Sequence, residues 1–139
     1  MKIKKILILL LIIPLLSSCS GTGSKEIPNT SVNNNSTSTL YFSRTGGYVG
    51  GGVLVSVKVN GREIAKLGTK EFTQYTVSGN FNIKVSATGL NSLAFGSDTI
   101  SGIGKNGSKH FYIINVKTGL LSSKFQIMET TETGFQQSQ

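Results

Sequence analysis

Val53-Leu54-Val55-Ser56-Val57-Lys58-Val59-Asn60-Gly61-Arg62-Glu63-Ile64 is the stretch whose reading decides the fold. Valine recurs at every second position from Val53 to Val59, the period of a strand with one face buried. Asn60-Gly61 then supplies a type I′ turn, which needs positive φ at both central residues. With those two residues as the loop, Val59 faces Arg62, Lys58 faces Glu63 and Val57 faces Ile64. That register makes Val57 and Ile64 a core pair and Lys58 and Glu63 an exposed ion pair worth roughly 0.2–1 kcal/mol. Carried further out, it sets Val55 against Lys66, which requires either a bulge or partial cover on both faces.

Working outward from the hairpin, the same period recurs. Phe72–Val77 reads as a strand, Ser78-Gly79-Asn80 as a turn, and Phe81, Ile83, Val85 and Ala87 alternate with polar residues, which predicts a second hairpin. Residues 88–109 are polar and glycine-broken, with short apolar pieces at 90–95 and 100–103. Residues 110–116 are more continuously apolar, as in a strand buried on both faces, and 125–128 form a last short strand. The tail, 129–139, is polar apart from Phe135 and reads as a helical turn or a frayed end. Upstream, Leu40-Tyr41-Phe42 is a short strand, and residues 45–52 hold too many glycines for a regular element and read as a mobile loop. No segment after residue 18 keeps a helical period. Roughly seven or eight short strands in about 100 residues predict an antiparallel β-sandwich, immunoglobulin-like in size, over residues 39–139.

The N-terminus carries a different signal. Lys2, Lys4 and Lys5 precede an apolar run, residues 6–16, interrupted only by Pro14. These are the basic and apolar regions of an export signal. As a helix the run spans roughly 17 Å, short of the ~30 Å core of a bilayer. It ends in Leu16-Ser17-Ser18-Cys19, and Cys19 is the chain's one cysteine. This resembles the bacterial lipobox. The resemblance implies cleavage after Ser18, acylation of Cys19 and attachment to a membrane of the bacterial cell envelope; with Ser20 following, it implies the outer membrane, facing the periplasm, in a Gram-negative host. Two or more acyl chains anchor stably, where one gives marginal binding. Residues 1–18 are then the lipoprotein signal peptide and 19–38 the lipidated cysteine and a flexible linker, rich in Ser, Thr, Asn and Gly. As a coil, such a linker spans roughly 25 Å.

Removing residues 1–18 takes three of the fourteen basic residues with it, leaving eleven against six acidic, a formal charge of +5. That surplus favours anionic partners, a surface polymer or headgroups, through attraction that salt screens. Nucleic acid is not expected, since no stretch combines clustered Lys/Arg with aromatics. With Cys19 modified, no thiol remains for a disulfide, a metal or a nucleophile.

A search for chemistry points the same way. His110 is the one histidine and Asp98 the one aspartate, so a Ser-His-Asp triad or a multi-histidine metal site would hang on single residues. Residues 102–109, Gly-Ile-Gly-Lys-Asn-Gly-Ser-Lys, lack the Gly-Lys-Ser/Thr order and the strand-loop-helix setting of a phosphate loop. Glu63, Glu71, Asp98, Glu129 and Glu132 are dispersed, with no two paired for acid and base work. The expectation is a non-catalytic module with neither cofactor nor metal. An envelope hydrolase with a site in residues 88–110 is the alternative. Tyr48, the one aromatic on the glycine-rich loop 45–52, is the candidate partner contact, because a rigid aromatic among residues lacking Cβ offers a large contact at low entropic cost; the alternative is that its ring folds over one end of the sandwich and caps the core. Lys105 and Lys109 come next, and the partner would be an envelope protein or an anionic surface polymer.

Tyr41-Phe42-Ser43-Arg44, Val57-x-Val59-Asn60-Gly61-x-x-Ile64-Ala65-x-Leu67, Phe72 and Ser78-Gly79-Asn80-Phe81-x-Ile83 together resemble small bacterial lipoproteins of unknown function with a PEGA-like β domain. Thr45 stands where that pattern has proline, Asn60 where it has Asp, and Ser78 and Phe81 where it has Pro and His. The resemblance covers roughly residues 39–87. It rests on turns and strands, so it implies a fold and no catalytic residue.

Overall fold

The computed structural model describes residues 21–23, 37–47 and 49–139. Among the described residues, nine strands form in chain order: β1 (Ser38–Arg44), β2 (Val55–Val59), β3 (Arg62–Leu67), β4 (Phe72–Val77), β5 (Asn80–Ala87), β6 (Phe95–Gly96), β7 (Asp98–Ile103), β8 (Lys109–Thr118) and β9 (Ser123–Thr130). A 3-10 turn, Gly89–Leu93, precedes β6, and α1 (Glu132–Gln137) ends the chain. The strands make two sheets, ordered β4-β1-β8-β9-β6 and β3-β2-β5-β7. The fold is all-β and sandwich-like. Leu40, Phe42, Tyr112, Ile114 and Phe125 of the first sheet pack on Val55, Val57, Leu67, Ile83 and Val85 of the second. Each of these large side chains contributes about 1.5–3 kcal/mol by leaving water.

The sheets are not wholly antiparallel as expected. Among the described residues, β1 runs parallel to β8 and β6 parallel to β9, the other five pairings being antiparallel. The sequence pattern of a buried strand does not record its direction, so only the pairing partner settles it.

The Asn60-Gly61 turn forms, with φ of 50° and 81°. Val59 faces Arg62 and Lys58 faces Glu63, and then the register shifts so that Val57 faces Ala65 and Val55 faces Leu67. Ile64 is the extra residue of a bulge. Without it every later residue of β3 would change face, bringing Lys66 onto the core; with it Ala65 and Leu67 turn inward. The expected Val57–Ile64 pair is therefore replaced. The Lys58–Glu63 ion pair is replaced too: Glu63 instead lies 3.7 Å from Lys66 and accepts the Ser56 hydroxyl proton.

The second predicted hairpin does not exist. β4 pairs with β1, and β5 lies between β2 and β7, so residues 78–80 carry the chain from one sheet to the other. Val77 and Phe81, on either side of the turn, are both buried in the shared core. They belong to one core but to opposite sheets, not to one ladder. The glycine-broken region also hides a full strand, β7, whose alternating residues sit at a sheet edge with half their faces wet.

Strand β8 is buried on both faces, as its continuous apolar run predicts. Tyr112 and Ile114 point into the sandwich, while Phe111 joins Tyr41, Phe72 and Phe135 in a second cluster on the outer face. Tyr41 and Phe111 stack at 4.9 Å between centroids, and Phe135 of α1 closes over both at 6.3 and 5.5 Å. Thr131 caps that helix, its hydroxyl accepting the Gly134 N–H at 3.1 Å.

Burial pushes the Tyr112 phenol well above its ordinary range, with Glu129 adding to the effect, and it raises Tyr41 likewise, assisted by Glu132. Unfolded phenols ionise near pH ~10, where the folded ones stay neutral, so above that range the unfolded chain binds fewer protons. Stability is then complete below that pH and falls as pH rises through it. Denaturant midpoints measured on both sides of about pH 10 should decline steeply in the parent protein and less steeply in Tyr112→Phe. Parallel pH curves for the two proteins would contradict this assignment.

Candidate functional site

Because β1 and β8 are parallel, Arg44 and Thr118 finish at the same end of the sandwich, and β2 starts there opposite Ala87. Residues 45–54, 68–71, 88–94 and 119–122 are the connections of that end. Arg44 organises them. It is 2 % exposed, and its guanidinium donates to the carbonyls of Leu67 (2.9 Å), Val53 and Gly50 while lying 5.1 Å from the Phe125 ring. Desolvation lowers its pKa, and nearby Glu71 opposes that shift. Thr69 adds a bond from its hydroxyl to the Gly51 carbonyl, at 2.9 Å. The described part of the glycine-rich loop is thus tied at Gly50, Gly51 and Val53, not the free loop its composition suggests. A cleft of about 250 Å³ lies between Arg44, Thr45, Thr69, Asn115, Val116 and Thr118. Tyr48, the sequence's candidate contact on this loop, lies outside the described residues, as do Ser18 and Cys19 of the lipobox.

Lys105 and Lys109 lie at the opposite end. Ten-residue β8, which starts at Lys109, sets a separation of roughly 33 Å at ~3.3 Å per residue, so the structure does not join these lysines to the Tyr48 loop. The loop carrying Lys105 connects β7 to β8, two strands, with no helix to complete a phosphate site. It is fastened to the start of β1: Ser38 Oγ donates to the Lys105 carbonyl at 2.7 Å, and the Gly107 N–H donates to the Thr37 carbonyl at 3.0 Å.

The same corner brings together three residues that the sequence leaves apart. Ser108 Oγ lies 3.1 Å from His110 Nε2, and His110 Nδ1 lies 3.0 Å from Glu129 Oε1. The histidine expected at a plain surface or edge position is half-buried, its ring edge-on to Phe81 at 5.3 Å. Ser-His-Glu in this order suggests a nucleophile, a base and an orienting acid. The Ser108 hydroxyl is not held by His110 alone. Ser38 Oγ donates to the Lys105 carbonyl and sits 2.8 Å from Ser108 Oγ, which also accepts the Lys105 N–H at 3.2 Å. Ser108 Oγ is therefore engaged by Ser38 and Lys105 as well as by His110, which ties the Lys105 loop to the starts of β1 and β8. Sequence reasoning missed Glu129 here because only the pairing of β8 with β9 brings it beside His110. Among the described residues, no group of three His, Cys, Asp or Glu side chains could hold a metal ion, and no helix is long and apolar enough to cross a membrane.

A further feature of the Arg44 end escaped the sequence reading. Leu90, Leu93, Leu120 and Leu121 are 87–101 % exposed. The first pair lies on the 3-10 turn before β6, and the second on the turn between β8 and β9. β6 and β9 are parallel, with Phe95 beside Ser123, so Leu93 and Leu121 each stand two residues before paired positions and the two turns are neighbours. Directly below, Lys117 and Lys124 face each other across β8 and β9, both exposed.

Residues 21–23, from the stretch read as a tether, lie along the outer edge of β3. The Thr22 N–H donates to the Lys66 carbonyl at 2.6 Å, and the Lys66 N–H donates to Thr22 Oγ1 at 2.7 Å. A Cβ at Gly21 would collide with the Glu71 carboxylate and crowd the Gly68 nitrogen at 2.5 Å, so only glycine fits this approach. That places Gly21 at the Arg44 end. No protein-family model and no curated protein matches the chain.

Proposed function

We propose that this chain is a lipoprotein of the bacterial envelope that works by binding rather than by catalysis. In this reading Met1 to Ser18 is the signal peptide, Cys19 carries the acyl chains, and the β domain, PEGA-like in its turns, presents the Arg44 end to its partner. The observation that carries it is the exposure of four leucines on adjacent turns of one end, the end where Gly21 docks two residues after Cys19. An apolar patch kept in water costs stability and solubility, and it is a usual mark of an interaction surface. The lipid would hold that surface near its partner at high local concentration. Outer-membrane placement follows only in a Gram-negative host.

A hydrolase built on Ser108, His110 and Glu129 is the second reading, favoured by their two hydrogen-bond distances and opposed by the engagement of Ser108 Oγ with Ser38 and Lys105. One experiment addresses both. Cells expressing the parent, Cys19→Ser and His110→Ala proteins are labelled with an alkyne fatty acid and fractionated. The parent and His110→Ala should label and sediment with membranes and share the parent phenotype, while Cys19→Ser should not label. Labelling of Cys19→Ser would overturn the anchor, and loss of phenotype in a folded, abundant His110→Ala protein would favour the enzyme.

A further inference from the structure

We propose that the leucine-bearing end is a lipid-docking site, inserting Leu90, Leu93, Leu120 and Leu121 into a bilayer whose anionic headgroups pair with Lys117 and Lys124; this names the partner of the binding surface proposed above and rests on that reading. Single exposed leucines are ordinary on protein surfaces. Four on two neighbouring turns, each at least 87 % exposed, form a patch that water disfavours and that an acyl boundary accommodates. The two lysines strengthen the case. Like charges directly opposite on adjacent strands destabilise a sheet, so Lys117 against Lys124 works against the fold unless an anion lies between or beside them. Exposed Lys70 lies on another connection of the same end. Among the described residues the carboxylate side chains do not compete: Glu71 is buried, Asp98 accepts the Ile127 N–H at 3.3 Å, and Glu63, Glu129 and Glu132 lie toward the far end. Apolar tip and cationic collar match the depth profile of an anionic leaflet, hydrocarbon below and phosphate above.

The chain's own path fits the same surface. Gly21 is fixed beside Gly68 and Glu71 at this end, and the two-residue step of sequence from Cys19 to Gly21 allows a reach of at most roughly 7 Å. Acyl chains on Cys19 and the four leucines would then enter the same bilayer, and the domain would stand on the membrane rather than drift from it. A protein groove remains a different partner, and the test separates it.

The chain has no tryptophan, so one introduced residue reports its own surroundings. The full chain with Leu120→Trp is reconstituted in vesicles of phosphatidylcholine alone or mixed with phosphatidylglycerol, beside a control with Lys105→Trp at the opposite end. Expected for Leu120→Trp in the anionic vesicles is a blue-shifted emission, quenched severalfold by a lipid brominated on its acyl chains, with no such change for Lys105→Trp. Adding Lys117→Glu and Lys124→Glu should abolish the dependence on phosphatidylglycerol while leaving the circular-dichroism melt in place. Emission from Leu120→Trp that ignores the vesicles, or equal quenching at both positions, overturns the proposal, as does an unaltered lipid dependence in the double glutamate variant. The signal depends on position and not on how the chain is attached. Failure of fatty-acid labelling alongside a quenched Leu120→Trp would therefore fault the anchor and leave the docking surface standing.

Discussion

Replacing Arg44 with alanine should lower stability by about 3–5 kcal/mol, a large share of the roughly 5–15 kcal/mol that holds a small domain together. The change strips the guanidinium from the carbonyls of Leu67, Val53 and Gly50, of which Gly50 keeps the Val53 N–H, and a buried acceptor left alone costs about 1–3 kcal/mol. It also removes the cation from the Phe125 face and leaves the buried Glu71 carboxylate without its nearby positive charge. Arg44→Lys should recover only part of the loss, because an ammonium restores the charge but not the planar fork that reaches three separate carbonyls. Urea unfolding checks both. The midpoint should fall in the order parent, Arg44→Lys, Arg44→Ala, and amide exchange over residues 45–53 should quicken even where the fold persists. Midpoints that coincide would mean the guanidinium is incidental to the end of the sandwich that it touches.

Phe135→Ala is the second change with a large expected effect. Phe135 is 0 % exposed, and it is the only buried side chain of α1. Truncation removes a large apolar side chain and opens the outer cluster of Tyr41, Phe72 and Phe111 to water, at a cost of about 3–5 kcal/mol. Thermal melts should show it directly, while Glu132→Gln on the exposed side of the same helix should melt close to the parent. An unchanged melting temperature in Phe135→Ala would show that the helix rests on the sheet without sealing it. Such a result would also remove the reason why β8 can be apolar on both faces.

Local pattern carried some of this molecule a long way. The valine alternation in β2, the positive-φ turn at Asn60-Gly61 and the two-sided burial of β8 are set by side-chain period and turn chemistry, which act within a few residues. Reading failed where two distant segments had to be compared. β7 sits in a glycine-rich region and shows little apolar period, because its inward positions are Asp98, Ile100 and Gly102 and only Ile100 marks the covered face. The bulge at Ile64 was legible as a conflict, Val55 against Lys66, and its resolution depended on the core that the hairpin enters. The candidate contacts divided for the same reason: Lys105 and Lys109 are near each other in sequence and far from the Tyr48 loop, and no local rule gives that distance.

What the sequence alone determined is therefore the all-β class of the protein and most of its strand-forming stretches. Tertiary structure decided the rest. It set β1 parallel to β8, turned residues 78–80 into a crossing between sheets, drew Glu129 to His110, and brought Leu90 and Leu93 beside Leu120 and Leu121. The physical reason is range. Turn and strand preferences come from sterics over neighbouring residues, whereas strand partners are chosen by burying both sheets' apolar faces at once, a condition on the whole chain that no single stretch can satisfy by itself.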